Sequence, residues 1–155
     1  MKRQTVAPST GRGDPMKLSE VVHRVIELAG KVREYYDTEL PKRHPNYPLI
    51  GPDDVTAPPP PEEGELRDFF STLPVEQIYL LRSLMDLGRM GFKANDLAKN
   101  YDAWADSSSD PAYAAVEMLH NVPLADQLLD GLEELHKHRI DLDGLPLKKS
   151  KWRKR

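Results

Sequence analysis

The sequence predicts an all-α fold: a small bundle of five or six helices, with a proline-rich loop after the first helix and disordered basic ends. Three observations predict it. Apolar residues between Ser19 and Leu142 recur at three- and four-residue steps, the period of a helix with one buried face. No segment alternates apolar and polar over the length of a strand, and no Asn-Gly type of turn joins two such runs. Eight of the fourteen prolines crowd into residues 41–61, which leaves most of the remaining chain free to coil. At 155 residues this is one domain with appendages: a disordered arm over 1–16, a helical domain over 17–143 with the proline-rich loop at 38–61 inside it, and a basic tail over 144–155.

The arm is rich in Gly, Pro, Ser, Thr and charge and lacks the apolar stretch of a secretory signal; Met16 is a natural start for the folded part. Its Arg12-Gly13-Asp14 spells an adhesion tripeptide, which in a polar arm reads as coincidence. The first helix runs from Ser19 to about Leu40, with Val21, Val22, Val25, Ile26, Ala29, Val32, Tyr35 and Tyr36 inward. Ser19 stands where a hydroxyl accepts from orphan amides, and Pro41 is expected to stop the helix. Residues 41–61 then read as an extended spacer, or as a segment offered to an aromatic-lined groove of a partner.

A second helix over Glu62–Leu73 places Leu66, Phe69, Phe70 and Leu73 on one face and three acids in its first turn. Pro74 opens the third, whose stripe (Val75, Ile78, Leu80, Leu81, Leu84, Met85, Leu87) is wide enough to make it the most buried, with Gly88 as its left-handed cap. The fourth spans about Ala94 to Asp106 and turns Leu97, Ala98, Tyr101, Trp104 and Ala105 inward. Asp110-Pro111 signals the start of the fifth, which carries Ala112, Ala115, Val116, Met118 and Leu119 and stops at Asn121. The sixth begins at Val122-Pro123 with Leu124, Leu128, Leu129, Leu132 and Leu135 as its stripe. Gly131 inside it costs about 1 kcal/mol against alanine and marks a close helix crossing.

The stretch Leu73–Leu135 resembles an uncharacterised bacterial family catalogued as domain of unknown function 3775. The resemblance rests on Leu73-Pro74-Val75-Glu76-Gln77, on Leu80 through Arg89, on Tyr101, Ala103 and Ala105, and on Asn121 through Leu132. It departs at Met90-Gly91-Phe92, where the family tends to carry a glycine–acid pair before the aromatic. The resemblance implies a helical fold and a bacterial origin, and it transfers no catalytic residue.

Catalysis needs converging groups, and the sequence supplies none. Without cysteine there is no disulfide framework, thiolate metal site or Cys nucleophile, which suits a cytoplasmic setting. The five histidines lack metal-ligand spacing, and His136 and His138 lie two apart, on opposite sides of a helix. Ser107, Ser108 and Ser109 lack a nucleophile elbow, and the paired acids Asp126/Asp130 and Glu133/Glu134 read as solvated face. No phosphate-cradling glycine loop and no apolar run of membrane-spanning length is present. The expectation is a chain that is no enzyme, with no cofactor and no metal.

What stands out is charge. Residues 18–143 carry 24 acids against 12 bases, while the last twelve residues carry Lys148, Lys149, Lys151, Arg153, Lys154 and Arg155 with no acid. With Trp152 among them, these can neutralise phosphates and stack on a base, meet an anionic lipid or an acidic protein, or simply screen the acidic body. Gly88, Arg89 and Phe92 mark a second candidate, a structural or interaction turn, where Arg89 is expected to bond carbonyls or bridge to a neighbouring helix. The function expected is therefore a protein-interaction module with an unknown protein partner. The alternative is a nucleic-acid accessory protein that grips phosphate through its tail.

Overall fold

The computed structural model describes residues 16–43 and 59–152. Among these the chain is all-α, with six helices of nine residues or more and no strand. They are α1 (Leu18–Glu34), α3 (Pro61–Thr72), α4 (Val75–Met90), α5 (Asp96–Asp106), α6 (Pro111–Leu119) and α7 (Leu124–Lys137). A wide turn (Tyr35–Glu39) and a single helical turn, α2 (Leu40–Arg43), prolong α1. A short 3₁₀ turn (Leu142–Gly144) follows α7. The arm over 1–15 and the centre of the proline segment, 44–58, lie outside the described residues.

The centre of the molecule is α4, as its wide stripe requires. Tyr79, Leu81, Ser83 and Leu84 are fully buried on it, and α5, α6 and α7 all pack against it. The Ser83 hydroxyl is satisfied locally, donating to the Tyr79 carbonyl at 2.9 Å. The closest pairing is α4 with α7, and glycine makes it possible. A Cβ added at Gly88 would sit 1.9 Å from the Gln127 carbonyl oxygen, and one at Gly131 would sit 2.6 Å from that of Leu84. Each glycine thus lets the other helix's backbone come to where a side chain would stand. The crossing expected at Gly131 is there. The cap expected at Gly88 is not: the helix runs on through Gly88 to Met90, and Gly91, with φ +68°, supplies the left-handed residue.

Further helix ends differ from expectation for physical reasons. Pro41 does not stop the first helix. The wide turn before it, closed by the Leu40 amide on the Tyr35 carbonyl, opens the backbone where the proline ring would strike the preceding turn. Thr38 assists by donating its hydroxyl to the Glu34 carbonyl at 2.7 Å. At the start of α1, Ser19 is a donor and no cap. Its amide and hydroxyl give 2.9 and 2.7 Å bonds to the two oxygens of Asp143, from the 3₁₀ turn. That pairing, led by the Ser19 hydroxyl, holds the Asp143 carboxyl below the usual aspartate range. Asn121 does not turn left-handed; its side-chain amide donates to Gln127 at 2.6 Å. Arg139, with φ +56°, ends α7, and the Ile140 and Arg139 amides reach the Leu135 and His136 carbonyls. Asp110-Pro111 does start α6, with the Asp110 carboxylate accepting from the Ala112 amide at 2.9 Å.

Two helices also turn differently from the expected stripes. Ala98 of α5 and Ala112 and Val116 of α6 face outward, while Ala114, Met118 and Leu119 bury the other side of α6. Leu129 of α7 is also exposed.

Gly88→Ala and Gly131→Ala should each lower unfolding stability by about 2 kcal/mol or more, because the new methyl meets backbone that cannot move aside. Gly30→Ala in α1, where a Cβ meets nothing within 4 Å, should gain up to about 1 kcal/mol. Urea unfolding of the three variants checks both signs; loss at Gly30 equal to that at Gly131 would contradict the crossing.

Candidate functional site

The basic tail, expected to be disordered, is strapped to the bundle as far as Trp152. Leu145 and Leu147 pack against the core, and Ser150 is 3% exposed. The bonds that hold it are mostly to backbone: the Lys151 amide donates to the Ala105 carbonyl at 2.8 Å, the Ser150 amide to Glu76 at 2.9 Å, and the Tyr101 hydroxyl to the Lys148 carbonyl. Burial pushes the Tyr101 phenol well above its ordinary value, so it stays a donor. Lys148 reaches Asp106 at 2.9 Å and Lys151 reaches the same carboxylate at 3.8 Å. The Lys148 hydrogen bond holds Asp106 below its usual range and is matched by a raised Lys148. Two of the six tail cations are thus turned to the protein's own acid. Lys149 is exposed, and Arg153, Lys154 and Arg155 lie outside the described residues. The sequence missed the strap because its ties depend on acids and carbonyls that only the fold brings near.

The turn candidates do not converge. Gly88 is occupied by the helix crossing, Arg89 reaches only Asp86 of its own helix, at 3.0 Å, and Phe92 is about a third exposed. An arginine of the same helix that does bridge to a neighbour is Arg82, which no motif of the sequence singles out. Its guanidinium pairs with Glu117 of α6 and Asp86 and lies 5.3 Å from the centre of the Trp104 ring. Trp104 in turn stacks on Tyr79 at 5.5 Å, and burial raises the Tyr79 phenol. Among the described residues no group of three or more His, Asp or Glu is placed to hold a metal ion. No helix of the described residues is long and apolar enough to cross a membrane.

A surface that the sequence did not single out lies between α3 and α6. It is a groove of about 750 Å³ with Phe70, Ile78 and Leu119 as its floor and Leu73 and Ala115 along its sides; Trp152 closes part of it. Its charged groups are one on each helix, Arg67 on α3 and Asp110 at the start of α6. Val116, 49% exposed, lines its α6 side, and Tyr113 of the same helix, 62% exposed, stands outside the lining. The only charge inside α6 is Glu117, and Arg82 holds it. The sequence signal available for it is the composition of Pro111–Leu119, too apolar for a helix with a solvated face, which the stripe reading of α6 passed over.

No family model, curated protein or solved structure matches this chain.

Asp106 carries a depressed carboxyl, so its share in holding the strap is present above the ordinary aspartate range and is lost as pH falls through the lowered value. The protection of the Lys151 amide, its slowing relative to the free chain at the same pH, should therefore be high near neutrality and fall on acidification before that of the core amides of α4 does. The exposed ion pair should also loosen in high salt. Hydrogen exchange read by mass spectrometry checks this; a Lys151 amide that exchanges at the free-chain rate at pH 7 would contradict the strap.

Proposed function

We propose that this protein is an interaction module that docks a protein partner on the α3/α6 face. The observation that carries the reading is the α6 face itself. Val116 stands exposed in the wall of a groove floored by Phe70, Ile78 and Leu119, with Tyr113 exposed on the same helix, whose one charge is already paired. Apolar surface gathered this way loses free energy when another apolar surface covers it, at roughly 25 cal/mol per Å² removed from water. The groove offers Arg67 and Asp110 as orienting polar groups. Asp110 is already committed to its helix cap, so the lining suits recognition more than acid–base chemistry. Membership of the bacterial family of unknown function, and a cytoplasmic setting, belong to the same proposal and rest on the sequence motifs and the cysteine-free composition.

The reading of the tail as a phosphate-binding arm has less support. Lys148 and Lys151 already face Asp106, and a nucleic acid would have to displace that carboxylate or use Lys149 with the residues beyond Trp152.

A photo-cross-linking residue at Val116 should trap a protein in the host cell, and one at Leu129 should not. Both positions are 49% exposed, and Leu129 is flanked by Asp126, Asp130 and Glu133, so the pair separates docking from mere exposure. Equal trapping at both sites, or none at Val116, would overturn the proposal.

A further inference from the structure

We infer that the partner of the α3/α6 face is a second copy of this chain, paired about a two-fold axis; the inference rests on the docking reading above. Three features of the face favour it. First, the same helix supplies an exposed ridge, Tyr113, and one side of the adjoining groove, Ala115, Val116 and Leu119. A two-fold contact requires one patch to be both shapes, since residue i meets j and j meets i. Second, the patch solves a charge problem. The body between residues 18 and 143 carries twice as many acids as bases, so two copies repel over most of their surface. On α6 they meet without that cost, because Glu117 is neutralised by Arg82 within each copy. Leu129 is equally exposed but stands among Asp126, Asp130 and Glu133 and offers no such approach.

Third, the two walls of the groove bear opposite charge. When the α6 ridge of one copy enters the groove of the other, it lies along the α3 wall. Each copy brings one Arg67 and one Asp110 to that contact, so each charge has an opposite on the other copy to meet, and the symmetry makes this pairing twice. Arg67 is available for it, since its contact within the chain is a 3.8 Å approach to Glu63.

The test is sedimentation equilibrium of the full chain over a range of concentrations, alongside Val116→Asp, Arg67→Glu and Leu129→Asp, with thermal unfolding to show that each is folded. The wild type and Leu129→Asp should approach twice the 17.6 kDa chain mass as concentration rises. Val116→Asp should stay at the single-chain mass, and Arg67→Glu should need at least severalfold more protein to pair. If Val116→Asp fails to fold, Tyr113→Arg, at a more exposed position, takes its place. A wild type that stays at one chain mass, or a pairing untouched by Val116→Asp, overturns the inference. A single-chain wild type whose Val116 cross-linker still traps a different protein overturns only the self-pairing. Absence of both signals overturns the docking reading as well.

Discussion

The bundle hangs on two backbones brought into contact where α4 crosses α7. Gly88 and Gly131 are reciprocal: each removes the side chain that would hold the opposite carbonyl away. Because interiors are packed as tightly as organic crystals, this spacing propagates. With α7 drawn in on one side, the rest of the α4 surface is left to α5 and α6, and the far side of α7 receives α1. The leucines of both stripes then fill a seam set by backbone contact, which leaves little room for alternative registers.

Charge, which dominates the sequence, plays a more domestic part in the structure. The tail's cations and the body's acids meet within one molecule at Asp106, and Arg33 ties the end of the first helix to α7 through Asp37 and Asp126. Exposed pairs of this kind contribute little energy each. Their value lies in direction: they turn these charges toward partners within the same molecule. The α3/α6 groove, mostly apolar with Arg67 and Asp110 as its charges, is where the physical case for recognition gathers.

The helices and most of their buried residues were legible because the 3.6-residue period and local cap chemistry, as at Asp110-Pro111, are written in neighbouring positions. What was not legible depends on partners remote in sequence. Val116 belongs to the outward side of α6 because Ala114 and Met118 already fill the inward one, and nothing within nine residues distinguishes the two faces. Gly88 and Gly91 are equally good caps by composition, and only the approach of Gln127 claims the first for packing. The tail looked free since its ties run to Glu76, Tyr101 and Ala105. The candidate groove was hidden for the same reason: it joins α3 and α6, whose residues lie some forty positions apart.

The pairing of Ser19 with Asp143 spans 124 positions, so the start of α1 is completed by a turn remote in the chain. The same is true of Tyr101, whose hydroxyl waits for the Lys148 carbonyl. Until those distant segments dock, the Ser19 amide and hydroxyl and the Tyr101 phenol lack the protein acceptors they have in this fold. A chain cut before Asp143 would lose the acceptors of Ser19 and of Tyr101 together, so one truncation loosens two elements far apart in sequence.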